Sequence, residues 1–230
     1  MSSGAPPQRM VSRSPRSIWT IFGVCALAVS PVRAQDPWPA LDRASAAYAG
    51  LTTLAADFVQ IIDHPVLGAP DTTTGRLYLR PPDRFAMRFT DPAGDRIVAD
   101  GRFLWLYTPS TTANQAIRTR IPSAGSLTPN LIGQFVERPR ERYRARWVRE
   151  EPGPAGVADV LVLVPTDANA PYQQATIWLG RSDGLLRRVD ILEGTGQVRS
   201  VTLRDVRTNV AIPSRELRFD PPPGTHIVDQ

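Results

Sequence analysis

The stretch GRLYLRPPDRFAMRF, residues 75–89, places Arg76, Arg80, Arg84 and Arg88 four residues apart, with Leu77, Leu79, Phe85, Met87 and Phe89 between them. On a helix that spacing would form a basic face. Pro81-Pro82 forbids it, because each proline removes a backbone donor and clashes with the preceding turn. The stretch therefore reads as two strands joined at Pro81-Pro82-Asp83. Pairing Arg80 with Arg84 fixes the register. Leu79 then faces Phe85 and Leu77 faces Met87, with Phe89 beyond, all on one side. Arg76, Tyr78, Arg80, Arg84, Ala86 and Arg88 take the other side. That side reads as a solvated face, on which acids from neighbouring strands should separate the like charges.

The alternation continues outward. Candidate strands are Thr53–Asp63, Gly75–Arg80, Arg84–Thr90, Asp95–Ala99, Arg102–Thr108, Gln115–Ile121, Tyr143–Arg149, Asp159–Pro165, Ala175–Leu179, Leu185–Leu192, Gln197–Val206 and Glu216–Phe219. Turn residues separate them, and Asp100-Gly101 predicts a type I′ hairpin. Such a series reads as an antiparallel sheet, barrel or half-barrel. A stripe at Trp38, Leu41, Ala44, Ala47, Tyr48 and Leu51 predicts a helix over 38–50. Thr128-Pro129 begins a second, presenting Leu131, Ile132, Phe135 and Val136. His64–Thr74 and Glu151–Gly156 read as loops. Ile97, Leu104, Trp105, Leu106 and Trp178 lie in strands that are apolar on both faces. A closed barrel filled by its own side chains, and a concave sheet lidded by helices over an apolar ligand, both satisfy this pattern.

Composition narrows the functions. All 27 basic residues are arginine, and the pI is near 10.1. Four of these, Arg9, Arg13, Arg16 and Arg33, fall in an acid-free segment of 34 residues; without it, 23 arginines face 22 acids. A nearly neutral chain whose sequence shows no aromatic-basic platform is not expected to bind nucleic acid. The segment itself has the form of a secretory signal. It has a basic start, an apolar run Ile18–Val29 and small residues Val32 and Ala34 before a cleavage site after Ala34. The apolar run is shorter than the roughly 20 residues a membrane span needs. Residues 35–230 remain as one domain, and a secreted domain without cysteine is compatible with a bacterial periplasm. The only cysteine, Cys25, follows Phe22-Gly23-Val24, which is not a lipidation context. Residues 35–230 therefore contain no disulfide and no thiolate ligand.

Catalytic patterns are missing. His64 and His226 are far apart in the sequence, no HExxH or GxSxG occurs, and Gly194-Thr195-Gly196 is a turn without a following lysine or helix. A binding protein without metal or cofactor is expected, rather than an enzyme.

Five stretches, in order, resemble the LolA-type outer-membrane lipoprotein carriers. They are Leu54–Gln60 with its Phe-x-Gln, the hairpin Gly75–Phe85, Ile97–Tyr107 with its Asp-Gly and Leu-Trp, Thr128-Pro129 before Leu131-Ile132, and Phe219–Gly224. The resemblance implies an incomplete antiparallel β-barrel whose apolar concave face is covered by short helices. It implies a periplasmic, monomeric chaperone. Such a carrier takes acylated lipoproteins from an inner-membrane ABC-type release complex and passes them to an outer-membrane acceptor where one exists. The acyl chains would lie against Leu77, Leu79, Phe85, Met87, Phe89, Ile97, Leu104, Trp105, Leu106, Leu131, Ile132, Phe135 and Trp178. Some family members latch the lid with an arginine where this chain has Pro81. Arg80 is the neighbouring candidate, although alternation points it to the opposite face. A lipid-anchored acceptor of similar fold and a periplasmic module for another lipid are the alternative readings.

Overall fold

The computed structural model describes residues 1, 4, 35–65, 68–121 and 132–230. Nearly all of the leader, and Thr128 to Leu131 of the expected lid helix, lie outside the described residues. Between Ala34 and Gln230 the chain forms a 12-stranded open sheet in the order β12-β6-β5-β4-β3-β2-β1-β11-β10-β9-β8-β7. The strands are β1 Leu54–Asp63, β2 Asp71–Arg80, β3 Arg84–Asp91, β4 Arg96–Asp100, β5 Phe103–Tyr107 and β6 Gln115–Arg120, then β7 Tyr143–Gly153, β8 Gly156–Pro165, β9 Tyr172–Gly180, β10 Leu186–Glu193, β11 Val198–Thr208 and β12 His226–Asp229. Helices are α1 Trp38–Ala49, α2 Gly133–Val136 and α3 Pro139–Arg142.

The hairpin of residues 75–89 has the expected register. Leu79 pairs with Phe85, Leu77 with Met87 and Arg80 with Arg84. The concave face carries continuous cross-strand rows. One runs Ala56, Leu77, Met87, Ile97, Leu106, Ile117; the next runs Leu54, Leu79, Phe85, Ala99, Leu104. Gly75 is required where the face is tightest. A Cβ there would sit 2.2 Å from the Arg88 carbonyl and 2.8 Å from the Phe58 ring. Phe58 covers that gap and meets Phe89 edge-on, with centroids 5.2 Å apart.

Several expectations change. Of the two central residues in the β4–β5 turn only Gly101 has positive φ, at 95°, so the turn has the II′ pattern and not I′. Asp100 shapes it by accepting from the backbone N–H groups of Arg102 and Phe103 and from Trp105 Nε1, each at 2.8 Å. Asp71–Thr74, expected as loop, extends β2 by pairing with Val59–Ile62 of β1. The Glu151–Gly156 loop is the extended tip of the β7–β8 hairpin. Glu216–Phe219 is not a strand. Residues Ser214–Leu217 form a 3-10 turn whose neighbouring carbonyls are claimed by Arg88 instead of a ladder. The sheet is also not wholly antiparallel, because β12 pairs in parallel with β6.

The basic side of the hairpin is not simply solvated. Arg88 Nε donates to the Glu216 carbonyl at 3.1 Å and pairs with its carboxylate at 2.9 Å, while Nη2 reaches the carbonyls of Arg215 and Arg218. Arg80 Nη2 donates to the Ile212 carbonyl at 2.9 Å. Both arginines thus hold the C-terminal segment over a second apolar cluster that includes Trp105, Tyr107, Leu217 and Phe219. The expected intervening acids are present. Asp57 lies 3.5 Å from Arg76, and Asp100 is opposite Arg84.

Candidate functional site

The concave face and the helices laid on it form the candidate site. Leu77, Leu79, Phe85 and Met87 are each no more than 3% exposed. They share one core with Leu41, Ala44 and Tyr48 of α1, with Ile132, and with Phe135 and Val136 of α2. Alternation along β2 and β3 delivers the sheet side of this contact. The 3–4 residue stripe of α1 delivers the other side. Among the described residues the face is occupied by the protein's own helices.

The helices are tied together and to one half of the sheet. Ser45 Oγ donates to the Val136 carbonyl at 2.6 Å, joining α1 to α2. Arg140 of α3 pairs with Asp42 of α1 at 2.6 Å and lies over the Trp38 ring. Arg43 pairs with buried Asp159 on β8 at 2.6 Å, and Asp159 also accepts from Trp147 Nε1 at 3.3 Å. At the β9–β10 turn, Gly184 has φ +71° and leaves only 2.8 Å between an added Cβ and the Arg43 carbonyl, so α1 sits directly on that turn. The Tyr48 hydroxyl accepts from Leu186 N–H at 3.2 Å, and burial pushes its pKa upward. Phe135 of α2 lies among aromatics, 6.3 Å from the Tyr143 ring and 6.1 Å from the Tyr172 ring. The two tyrosine hydroxyls meet at 2.7 Å, and burial raises both pKa values.

On the opposite side, α1 and α2 face the β2–β3 hairpin. A cleft of about 500 Å³ opens there between Ser45, Tyr48, Leu79, Pro81, Pro82 and Gly133. A larger depression of about 690 Å³ lies elsewhere, between the tip of the β7–β8 hairpin and β10–β11. Its rim mixes Glu151, Arg187, Arg188, Arg204 and Asp205. That charge density suits a solvated groove more than an alkyl chain.

The predicted lining residues divide into groups. Leu77, Leu79, Phe85, Met87, Ile132 and Phe135 are brought together in the concave core, with half-buried Phe89, Ile97 and Leu104 at its border. Leu106 continues the row of Ile97 and is 37% exposed, so the apolar row outlasts its cover. Leu131 lies outside the described residues. Trp105 and Trp178 belong to the convex side. Trp105 packs on Phe219 with centroids 5.3 Å apart, and Trp178 lies under Arg188 at 4.7 Å. Their strands are apolar on both faces, so alternation alone does not choose the side. Arg80, the latch candidate, donates to the Ile212 carbonyl on the convex side, and Thr128 to Leu131 of the expected lid helix lie outside the described residues. The far half of the core, including Leu161, Leu163, Ile177 and Leu179, is absent from the lining expected from sequence. Residues 160–164 of β8 are apolar at every position, so alternation does not single out Leu161 and Leu163.

Among the described residues no group of three or more His, Cys, Asp or Glu could hold a metal ion, and no helix is long and apolar enough to cross a membrane.

Comparison with known proteins gives a consistent picture. The sequence model of the family described as "Outer membrane lipoprotein carrier protein LolA" matches residues 49–220. An outer-membrane lipoprotein carrier protein of Alkalilimnicola ehrlichii is 26% identical over 91% of this chain and 92% of its own length. One of Salmonella paratyphi B is 29% identical over 90% of this chain and 96% of its own. In fold, the chain is similar to an uncharacterized conserved protein of Thermus thermophilus, with a TM-score of 0.54 and 16% identity over 85% of this chain and 100% of that one.

Proposed function

The chain belongs to the LolA family of outer membrane lipoprotein carrier proteins, and from that premise we propose that it shields lipoprotein acyl chains on the concave face by exchanging them for its own helix α2. It is a lipoprotein carrier, and its work is transfer without covalent chemistry. The observation that carries this reading is the cross-strand apolar rows of the concave face, closed by Ile132, Phe135 and Val136.

The energetics favour exchange over permanent occupation. Burial is worth about 0.8 kcal/mol per methylene, so an acyl chain held in water costs on the order of 10 kcal/mol. Fully burying one large apolar side chain is worth roughly 1.5–3 kcal/mol. The three side chains Ile132, Phe135 and Val136 together supply about 5–9 kcal/mol on that scale. The helix segment thus offsets roughly one acyl chain, so displacing it lowers the net gain on loading and eases release. Helix α1, anchored by Arg43–Asp159 and Tyr48–Leu186, stays with the sheet. Met87, the one methionine of residues 35–230, supplies an adaptable lining.

The setting proposed is the periplasm, after removal of residues 1–34. The donor is an inner-membrane ABC-type release complex, and the recipient is an outer-membrane acceptor where one exists. The test incubates the purified chain with proteoliposomes carrying a triacylated lipoprotein and its release complex. A soluble complex of the chain with lipoprotein supports the reading. Lipoprotein that stays with the vesicles at every concentration of the chain contradicts it.

A further inference from the structure

We propose that the convex side of the β5–β6–β12 edge is a seat for a phosphate group, and that the phosphate is that of an anionic lipid headgroup. The inference goes beyond acyl-chain carriage and rests on a different face of the sheet. Three guanidinium groups surround the single ring of Phe103: Arg118 at 4.8 Å, Arg102 at 5.0 Å and Arg120 at 5.6 Å from its centroid. They line an open pocket of about 470 Å³ with Asp229 and Gln230.

Two nearby acids, Asp229 and Asp100, are already committed, and Asp83 lies against Gly101 at the adjoining turn. Asp229 is held by Arg118 alone, through Nε at 2.6 Å and Nη2 at 2.8 Å. Asp100 accepts from the Arg102 and Phe103 backbone N–H groups and from Trp105 Nε1. Arg102 and Arg120 have no ion pair among the described residues. The other segments cannot supply one from a side chain, because residues 2–34, 66–67 and 122–131 contain no Asp or Glu. The pocket holds three guanidinium groups against one carboxylate side chain, Asp229, an excess of positive charge that favours a bound anion. The planar guanidinium fork matches phosphate oxygens two at a time.

Two apolar neighbours favour a membrane surface over an acidic protein. Phe103 is half-buried on this side. Ile227, which pairs with buried Ala116 of the same face, is 37% exposed. Cationic groups beside a partly exposed ring and an aliphatic side chain match the mixed polarity of the headgroup layer.

The experiment measures partitioning of the purified chain into vesicles of phosphatidylcholine alone, and of phosphatidylcholine with phosphatidylglycerol in equal parts, at low salt. Each arginine near an anionic surface contributes about fivefold, so the double variant Arg102→Gln/Arg120→Gln should partition about thirtyfold more weakly into the anionic vesicles. Both side chains are exposed, so the variant keeps its fold and its melting temperature. The lysine pair Arg102→Lys/Arg120→Lys should retain most of the binding. Asp229→Asn, which releases Arg118, should strengthen binding. Equal partitioning of wild type and the glutamine variant overturns the proposal. So does a seat that binds inorganic phosphate through these arginines while the anionic vesicles stay unbound, because the source would then be a free anion. Failure to bind vesicles together with capture by a purified acidic peptide, lost in the glutamine variant, also overturns it in favour of a protein partner. None of these outcomes depends on whether lipoprotein is carried.

Discussion

Replacing Ser45 by alanine should tighten the binding of an acylated ligand. Ser45 Oγ donates to the Val136 carbonyl at 2.6 Å across the contact of α1 with α2, and Val136 is 1% exposed. The open form, in which α2 has left the sheet, re-solvates that carbonyl; the closed form of the variant leaves it without this donor. A buried acceptor stripped of its donor costs about 1–2 kcal/mol. The cost falls on the closed form alone, so the open population rises about 5- to 30-fold. Apparent affinity scales with the fraction of molecules competent to bind while that fraction is small. The dissociation constant for a fluorescent acyl probe, or for a purified lipoprotein in detergent-free buffer, should therefore fall by the same factor. The melting temperature should fall too, because the same bond stabilises the unliganded fold. A variant that melts earlier but binds with unchanged affinity would mean that acyl chains enter without parting α2 from α1.

Three further outcomes follow from other contacts. Arg88→Met removes the ion pair to Glu216 and the anchor of the 3-10 turn, and should lose about 2–4 kcal/mol in urea denaturation; a loss within about 0.5 kcal/mol would place it among ordinary surface substitutions. Gly75→Val would drive a side chain into the Arg88 carbonyl and the Phe58 ring and should cost more than about 3 kcal/mol, whereas Gly194→Ala, with nothing within 4 Å of the added carbon, should be nearly neutral in the same assay. Burial raises the pKa of Tyr48, Tyr143 and Tyr172. Their contribution to stability is complete below the unfolded tyrosine value of about 10 and declines above it. Urea midpoints should therefore drop between about pH 9 and 11, and less steeply in Tyr48→Phe; equal slopes would show that Tyr48 does not titrate on unfolding.

The hairpin of residues 75–89 is legible in the sequence because two prolines and a strict alternation leave a single register. The same alternation assigns Leu77, Leu79, Phe85 and Met87 to one side, and the structure covers that side with helices. Legibility fails where both sides of a strand bury apolar groups. Trp105 and Trp178 give no periodic clue to their side; the former is set by the C-terminal segment carrying Phe219, the latter by Arg188. The C-terminal cover itself mimics a strand. Leu217 and Phe219 alternate like strand residues, but their neighbours' carbonyls go to the Arg88 side chain, more than 120 residues away in sequence. Strand β12 has no local signal because its pairing is parallel and held at its end by Arg118–Asp229. The ties on the lid helices, Ser45–Val136, Asp42–Arg140 and Arg43–Asp159, join distant positions and leave no local signature.

The central claim is that acyl chains take the place of α2 on the concave face. Photo-crosslinking residues placed singly at Leu79, Met87 and Leu104, and on the convex side at Arg76, Trp105 and Trp178, test it against one purified triacylated lipoprotein. Adducts are expected from the first three positions and none from the second three. Labelling from Trp105 or Trp178 with silence at Leu79 and Met87 would contradict it.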